Sequence, residues 1–148
     1  MTECKKKALL TVAVALLSAC KSSPPATGYL CIDDDSVLFV EWTQLQGRQI
    51  KGSIDVFVRT ESGQFESALI LFDGTLDKED ITLTYSDSAS STAKTTFTGS
   101  LKGDVLMFDP NLRGPVECHR ATHEQKFDAR QNLIWRTQAE KRKGAQAK

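Results

Sequence analysis

Cys118-His119, with His123 and Glu124 a few residues on, is the densest group of potential metal ligands in this 148-residue chain. Thiolate, imidazole and carboxylate are the donors that zinc takes. His119 and His123 share a helix face only if the helix runs back through both. Thr122-x-x-Gln125 argues that it does not. That spacing fits a capping box, in which hydroxyl and amide each satisfy an end N–H. Oxidation of Cys118 would also remove the thiolate, so no metal site and no cofactor is expected. Asp33-Asp34-Asp35 carries the oxygens that calcium takes. Adjacent side chains point different ways, however, and no glycine-containing ligand loop follows, so the run reads as an acidic turn before a strand. Asp77, Glu79 and Asp80 read as a solvated hairpin tip. Nucleophilic catalysis finds no G-x-S-x-G elbow, and the only two histidines lie in one short segment. There is no phosphate-binding glycine loop either, and no catalytic residue is expected. Trp42 and Trp135 can form a sugar platform, but large aromatics in a small chain are expected in the core.

The N-terminus carries a sharper signal. Lys5, Lys6 and Lys7 precede an apolar run from Ala8 to Leu17, and Ser18-Ala19-Cys20 closes it. This resembles a bacterial lipoprotein signal peptide with its lipobox, in which the cysteine is lipidated and becomes the first residue of the mature chain. The run is too short for a transmembrane helix, which needs about 20 apolar residues. An ordinary secretory signal is cut after an A-x-A-like site, which leaves a cysteine at the next position unexplained. The resemblance implies a signal peptide over 1–19, lipid on Cys20, and a chain held on the outer side of a bacterial cell membrane or outer membrane. Several acyl chains anchor firmly where one alone is marginal. Outside the cytoplasm thiols oxidise, so Cys31 and Cys118 are expected to form a disulfide; two unpaired buried cysteines are the alternative.

The remaining chain is one domain's worth. Residues 20–28, with Ser-Ser-Pro-Pro at 22–25, read as a lipidated cysteine and semi-rigid linker. Residues 29–141 read as a β-rich domain ending in a helix, and 142–148 as a disordered basic tail. Val37 to Trp42 is rich in β-branched and aromatic residues. Ile50 to Val58 alternates, with Ile54, Val56 and Val58 on one face and Asp55 and Phe57 on the other. Phe65 to Leu71 is the next strand. Phe72-Asp73-Gly74-Thr75-Leu76 and Phe97-Thr98-Gly99-Ser100-Leu101 each begin a strand–turn–strand unit, with a glycine at the same place, as a bulge or sharp bend requires. Asp87 to Ser91 links the two units. After an irregular stretch from Asn111, Val116 to Arg120 is a last strand. A helix follows from about His123 to Lys141, with Phe127 and Ile134 sharing a face and Ala129 and Leu133 bordering it. The fold expected is mainly β: a small antiparallel barrel or sandwich, built as a meander of hairpins, with one C-terminal helix.

Charge is unevenly spread. From Cys20 to Pro110 there are 7 Lys+Arg against 14 Asp+Glu, and from Asn111 onward 9 against 4, although the whole chain is neutral. A basic tail reads first as a solvated helix face and next as a contact with anionic lipid headgroups. No nucleic-acid partner is expected of an exported chain.

Phe39-Val40-Glu41-Trp42-Thr43, Gly47, Gly52, the two Phe-x-Gly-x-Leu hairpins and the segment around Phe127 together resemble a group of bacterial surface lipoproteins frequent in actinobacteria. That resemblance implies a small β-rich envelope domain and carries over no catalytic residue. The function expected is non-enzymatic binding or interaction at the envelope, with a protein or lipid ligand, and an inhibitor or immunity-type role falls within that class. A small envelope hydrolase and a structural spacer are the alternatives.

Overall fold

The computed structural model describes residues 28–86, 94–109 and 115–146. The expected signal peptide over 1–19, Cys20, most of the expected linker, and the expected loop from Asp87 to Ser91 lie outside the described residues.

Eight antiparallel strands follow one another around a closed barrel, each paired to the next, and the last pairs with the first. They are β1 (Gly28–Ile32), β2 (Ser36–Gln44), β3 (Gln49–Arg59), β4 (Phe65–Asp77), β5 (Asp80–Ser86), β6 (Lys94–Lys102), β7 (Val105–Asp109) and β8 (Val116–Ala121), followed by α1 (His123–Gln146). The expected fold class therefore holds, and of barrel and sandwich the chain forms the barrel. Two details differ from expectation. Gly28 belongs to β1 rather than to the linker, because it pairs with Glu41 on one side and Ala121 on the other; a Cβ there would stand 2.1 Å from the Phe39 ring. The helix also continues past Lys141 and takes Arg142 and Lys143 into its last turns.

Strand side chains alternate between two faces, and here both faces of the first strands are apolar for different reasons. Tyr29, Cys31, Val40, Ile50, Ile54, Phe72, Ile81, Leu83, Phe97, Leu106, Phe108 and Cys118 fill the barrel interior. Phe97 stands edge-on to Phe108, with 5.2 Å between centroids, and Tyr29 stacks on Trp42 at 5.1 Å. Leu30, Val37 and Phe39 point outward and pack under Ala129 and Leu133 of α1, with Phe57 and Phe65 beside them. The helix thus lies on the outer wall formed by β1, β2 and β3.

Closing a sheet this tightly needs places where strands approach without side chains. At Gly52 a Cβ would lie 2.0 Å from the Glu41 carbonyl oxygen, and at Gly74 one would lie 2.2 Å from that of Thr82. Gly74 and Gly99, singled out by their equivalent positions, face Leu83 and Ile81 across their ladders.

Candidate functional site

One feature of the wall is incomplete. β3 and β4 pair along their whole length, from Gln49↔Thr75 to Arg59↔Phe65. β4 and β5 pair only from Asp73↔Thr84 to Asp77↔Asp80. Beyond Asp73 the two strands part, although β5 continues through Tyr85 in its ladder with β6. A hollow of about 670 Å³ opens at the parting. Phe72, 2% exposed, forms its floor with Ile50 and Tyr85, while Leu71, Lys51, Asp73 and Lys94 stand around it. Lys51 and Asp73 face each other at 3.9 Å, both largely in solvent. The floor is apolar, and charges of both signs stand at the rim.

A smaller hollow of about 230 Å³ lies near the far end of α1, between Asp35, Arg59, Gly63, Glu140 and Lys141. Its charges are committed to one another. Arg59 donates from Nε to Asp35 at 2.6 Å and from Nη1 to Glu140 at 2.6 Å, and Lys141 donates to the Gly63 carbonyl at 3.0 Å. The bond to Glu140, then that to Asp35, holds the Arg59 pKa above its ordinary value. This cluster clamps the last turns of α1 to the β1–β2 and β3–β4 turns.

The residues singled out from the sequence separate accordingly. Cys31 and Cys118 are joined as a disulfide, with Cα atoms 4.1 Å apart, inside the barrel across the β1–β8 seam. Cys118 therefore has no thiolate to offer a metal. His119 pairs with Glu117 at 3.1 Å, and His123 pairs with Glu41 at 3.0 Å. Thr122 and Gln125 form the expected capping box: the Thr122 N–H donates to Gln125 Oε1 at 2.9 Å, and the Gln125 N–H to Thr122 Oγ1 at 3.3 Å. No cluster of three or more metal-ligating side chains forms among the described residues. Asp33 to Asp35 make the β1–β2 turn, as expected, with Asp35 held by Arg59. Asp77 and Asp80 bracket the two-residue tip of the β4–β5 hairpin.

Two expectations are corrected. Trp42 lies partly buried in the barrel, but Trp135 is 62% exposed on α1 and cannot join it in a platform or a core. Phe127, expected on the docking face, is 60% exposed. Ala129 and Leu133, expected at the border of that face, dock together with Thr137.

The hollow between β4 and β5 was not foreseen. The sequence separates Phe65–Leu71 from the segment starting at Phe72, whereas the structure runs them together as one 13-residue strand. Among the described residues, a strand that far outreaches its 7-residue neighbour β5 leaves part of its edge unpaired with it. Strand lengths carried that signal, but only once the pairing was known.

No family model, no curated protein and no solved structure matches this chain. Among the described residues no helix is long and apolar enough to cross a membrane.

Proposed function

We propose that the protein is a lipid-anchored bacterial envelope lipoprotein that acts as a non-enzymatic binding module, with its ligand held at the parting of β4 and β5. The Lys5–Cys20 pattern supports the anchor. The observation that carries the binding role is where the apolar side chains sit. The described interior is filled by the chain's own Phe, Ile and Leu residues, so a ligand meets the outer wall. There the hollow has Phe72 and Tyr85 at its floor, with the exposed Leu71 standing beside Lys51, Asp73 and Lys94 around it. Protein ligands suit such a mixture, since contacts of this kind combine an apolar centre with a polar rim.

Two measurements test the two halves of this reading. A fatty acid carrying an alkyne labels the full chain in bacterial cells, and Cys20→Ser loses both the label and membrane retention. An unlabelled wild type overturns the anchor. Envelope extract passed over the immobilised lipidated protein leaves a bound component that Lys51→Glu with Lys94→Glu releases. Retention unchanged by that pair removes the hollow from the binding role.

A further inference from the structure

We infer that the outward side of α1, which carries Phe127, Ile134 and Trp135, is the face on which the domain rests against the lipid surface that holds its anchor. The inference rests on the anchored reading above and is independent of the hollow between β4 and β5.

Helix geometry separates two sides of α1. Successive residues turn by about 100° around the axis, so Ala129, Leu133, Lys126, Thr137 and Arg130 share one arc of about that width. This arc meets the barrel: Ala129 and Leu133 pack on Leu30, Val37 and Phe39, while Lys126 and Arg130 bond to Asp55. Ile134, Phe127, Gln138, Gln131, Arg142 and Trp135 occupy the following arc, again about 100° wide. None of these six is among the residues that α1 buries. Phe127 and Trp135 are 60% and 62% exposed. Every other exposed large hydrophobic side chain among the described residues is aliphatic. Two exposed rings on one side of one helix mark an interaction surface.

The tether argues that lipid is what this surface meets. Gly28 pairs with Ala121, so the linker joins the barrel at the end where α1 begins. Eight residue steps separate Cys20 from Gly28. An extended chain spans at most about 3.6 Å per residue, so lipid on Cys20 lies within about 29 Å of Gly28. At 1.5 Å per residue α1 is itself about 36 Å long. The domain is therefore held within its own length of the bilayer. A tether this short keeps the local concentration of lipid high against whichever face fits it.

Charge selects the face. The chain from Cys20 to Pro110 carries 7 Lys+Arg against 14 Asp+Glu, whereas α1 carries six against three. An anionic surface repels the acidic barrel and attracts the helix. Arg142 and Lys143, in the last turns, hold no carboxylate among the described residues. Aromatic rings on one side of a helix, with lysine and arginine beside them, are what an interfacial helix presents to headgroups and acyl boundary. A tryptophan ring settles at that level because it is apolar in body and polar at its N–H. The acids of this side, Glu124 and Asp128, lie in the first two turns. Contact is therefore made by the C-terminal turns, centred on Ile134 and Trp135, with Phe127 at its edge.

Brominated lipid tests the contact directly. The full chain is expressed in bacteria with the alkyne fatty acid, and the lipid-carrying form from their membranes is reconstituted in vesicles. These contain phosphatidylcholine and phosphatidylglycerol brominated on the acyl chains near the headgroup. Tryptophan emission is quenched relative to the same vesicles without bromine. Trp135 accounts for the loss, because Trp42 is stacked on Tyr29 inside the barrel. Trp135→Phe therefore abolishes the quenching and leaves the emission of Trp42. Phe127→Asp with Arg142→Glu, both at exposed positions, lowers the quenching and leaves the thermal transition in place. Quenching that survives Trp135→Phe, or that Phe127→Asp with Arg142→Glu does not change, overturns the proposal. So does a vesicle-bound chain whose Trp135 is not quenched, the result expected if a protein partner or a second copy covers this face. A chain that takes up no lipid label overturns the anchor and this inference together. A labelled, vesicle-bound chain with unquenched Trp135 overturns this inference alone.

Discussion

Tyr29 shows how a single side chain ties stability to solution conditions. It is 7% exposed, stacked on Trp42 inside the barrel. Burial raises its pKa above the ordinary 10.0, and the positive charge of Arg120 only partly opposes this. The folded phenol therefore keeps its proton when the unfolded one has lost it. Its contribution is fully present below pH 10 and is lost as pH rises through the higher folded value. Urea titrations at pH 8, 10 and 11 should show stability falling over the alkaline steps, and Tyr29→Phe should fall less. Gly52 makes a steric counterpart. Gly52→Ala drives a methyl against the Glu41 carbonyl, and overpacking of this kind costs about 1–3 kcal/mol, to be read as a lower urea midpoint at an unchanged slope. Such residues were only half legible in the sequence. Gly74 and Gly99 announced themselves by repeating within a unit. Gly52 did not reveal its purpose, because the atom that excludes a side chain there belongs to the neighbouring strand.

The helix is where local and non-local signals part company. Its start was readable, since Thr122 and Gln125 need only each other. Thr122→Ala should destabilise by about 1 kcal/mol, the usual worth of an N-cap, measurable by urea denaturation. Its docking face was only partly readable. Hydrophobicity centred it on Phe127 and Ile134 with Ala129 and Leu133 at the border, whereas Ala129 and Leu133 dock and cations over rings complete the seam. Lys126 lies 4.9 Å from the centroid of Phe39, and Arg130 lies 5.2 Å from that of Phe57. Both bond to Asp55 on β3, at 3.1 and 2.5 Å. Their side chains are only 18% and 24% exposed, so long stems cover aromatic surface while the heads find a carboxylate. Thr137 meets burial by donating to the Leu133 carbonyl at 2.9 Å. A pattern that scores lysine and arginine as solvent-facing reads this face as polar. Asp55→Ala strands both cations, a loss of about 1–3 kcal/mol. Hydrogen exchange should then speed up across α1 while β5 to β7 stay protected; uniform acceleration would place Asp55 in the barrel's own stability instead.

At the scale of the molecule, hairpin grammar made a meander legible, and the alternation of Ile54, Val56 and Val58 against Asp55 and Phe57 separated the two faces of β3. Closure was not legible from strands alone. Pairing of β1 with β8 leaves no trace in neighbouring residues, and only the two cysteines hinted at it. The bridge spans 87 residues at the seam. In the chain-entropy account a loop of that size is worth about 4–5 kcal/mol. Reduction of the folded protein under urea should lower its stability by that order, and Cys31→Ala with Cys118→Ala should match the reduced wild type.

The seam also gives this molecule a clock. A ribosome delivers β1 first and β8 last, yet β1 cannot complete its ladder until Gly28↔Ala121 and Leu30↔His119 can form. Until then Cys31 waits without its partner, and the outward Leu30, Val37 and Phe39 wait for a helix that lies further along the chain. Pairings so distant along the chain make folding slow. Each newborn copy therefore passes through an interval in which its middle strands are ready and its two ends are not. A chain stalled before Val116 should stay protease-sensitive however long it is given, and release of the last segment should convert it to a resistant form in a single step.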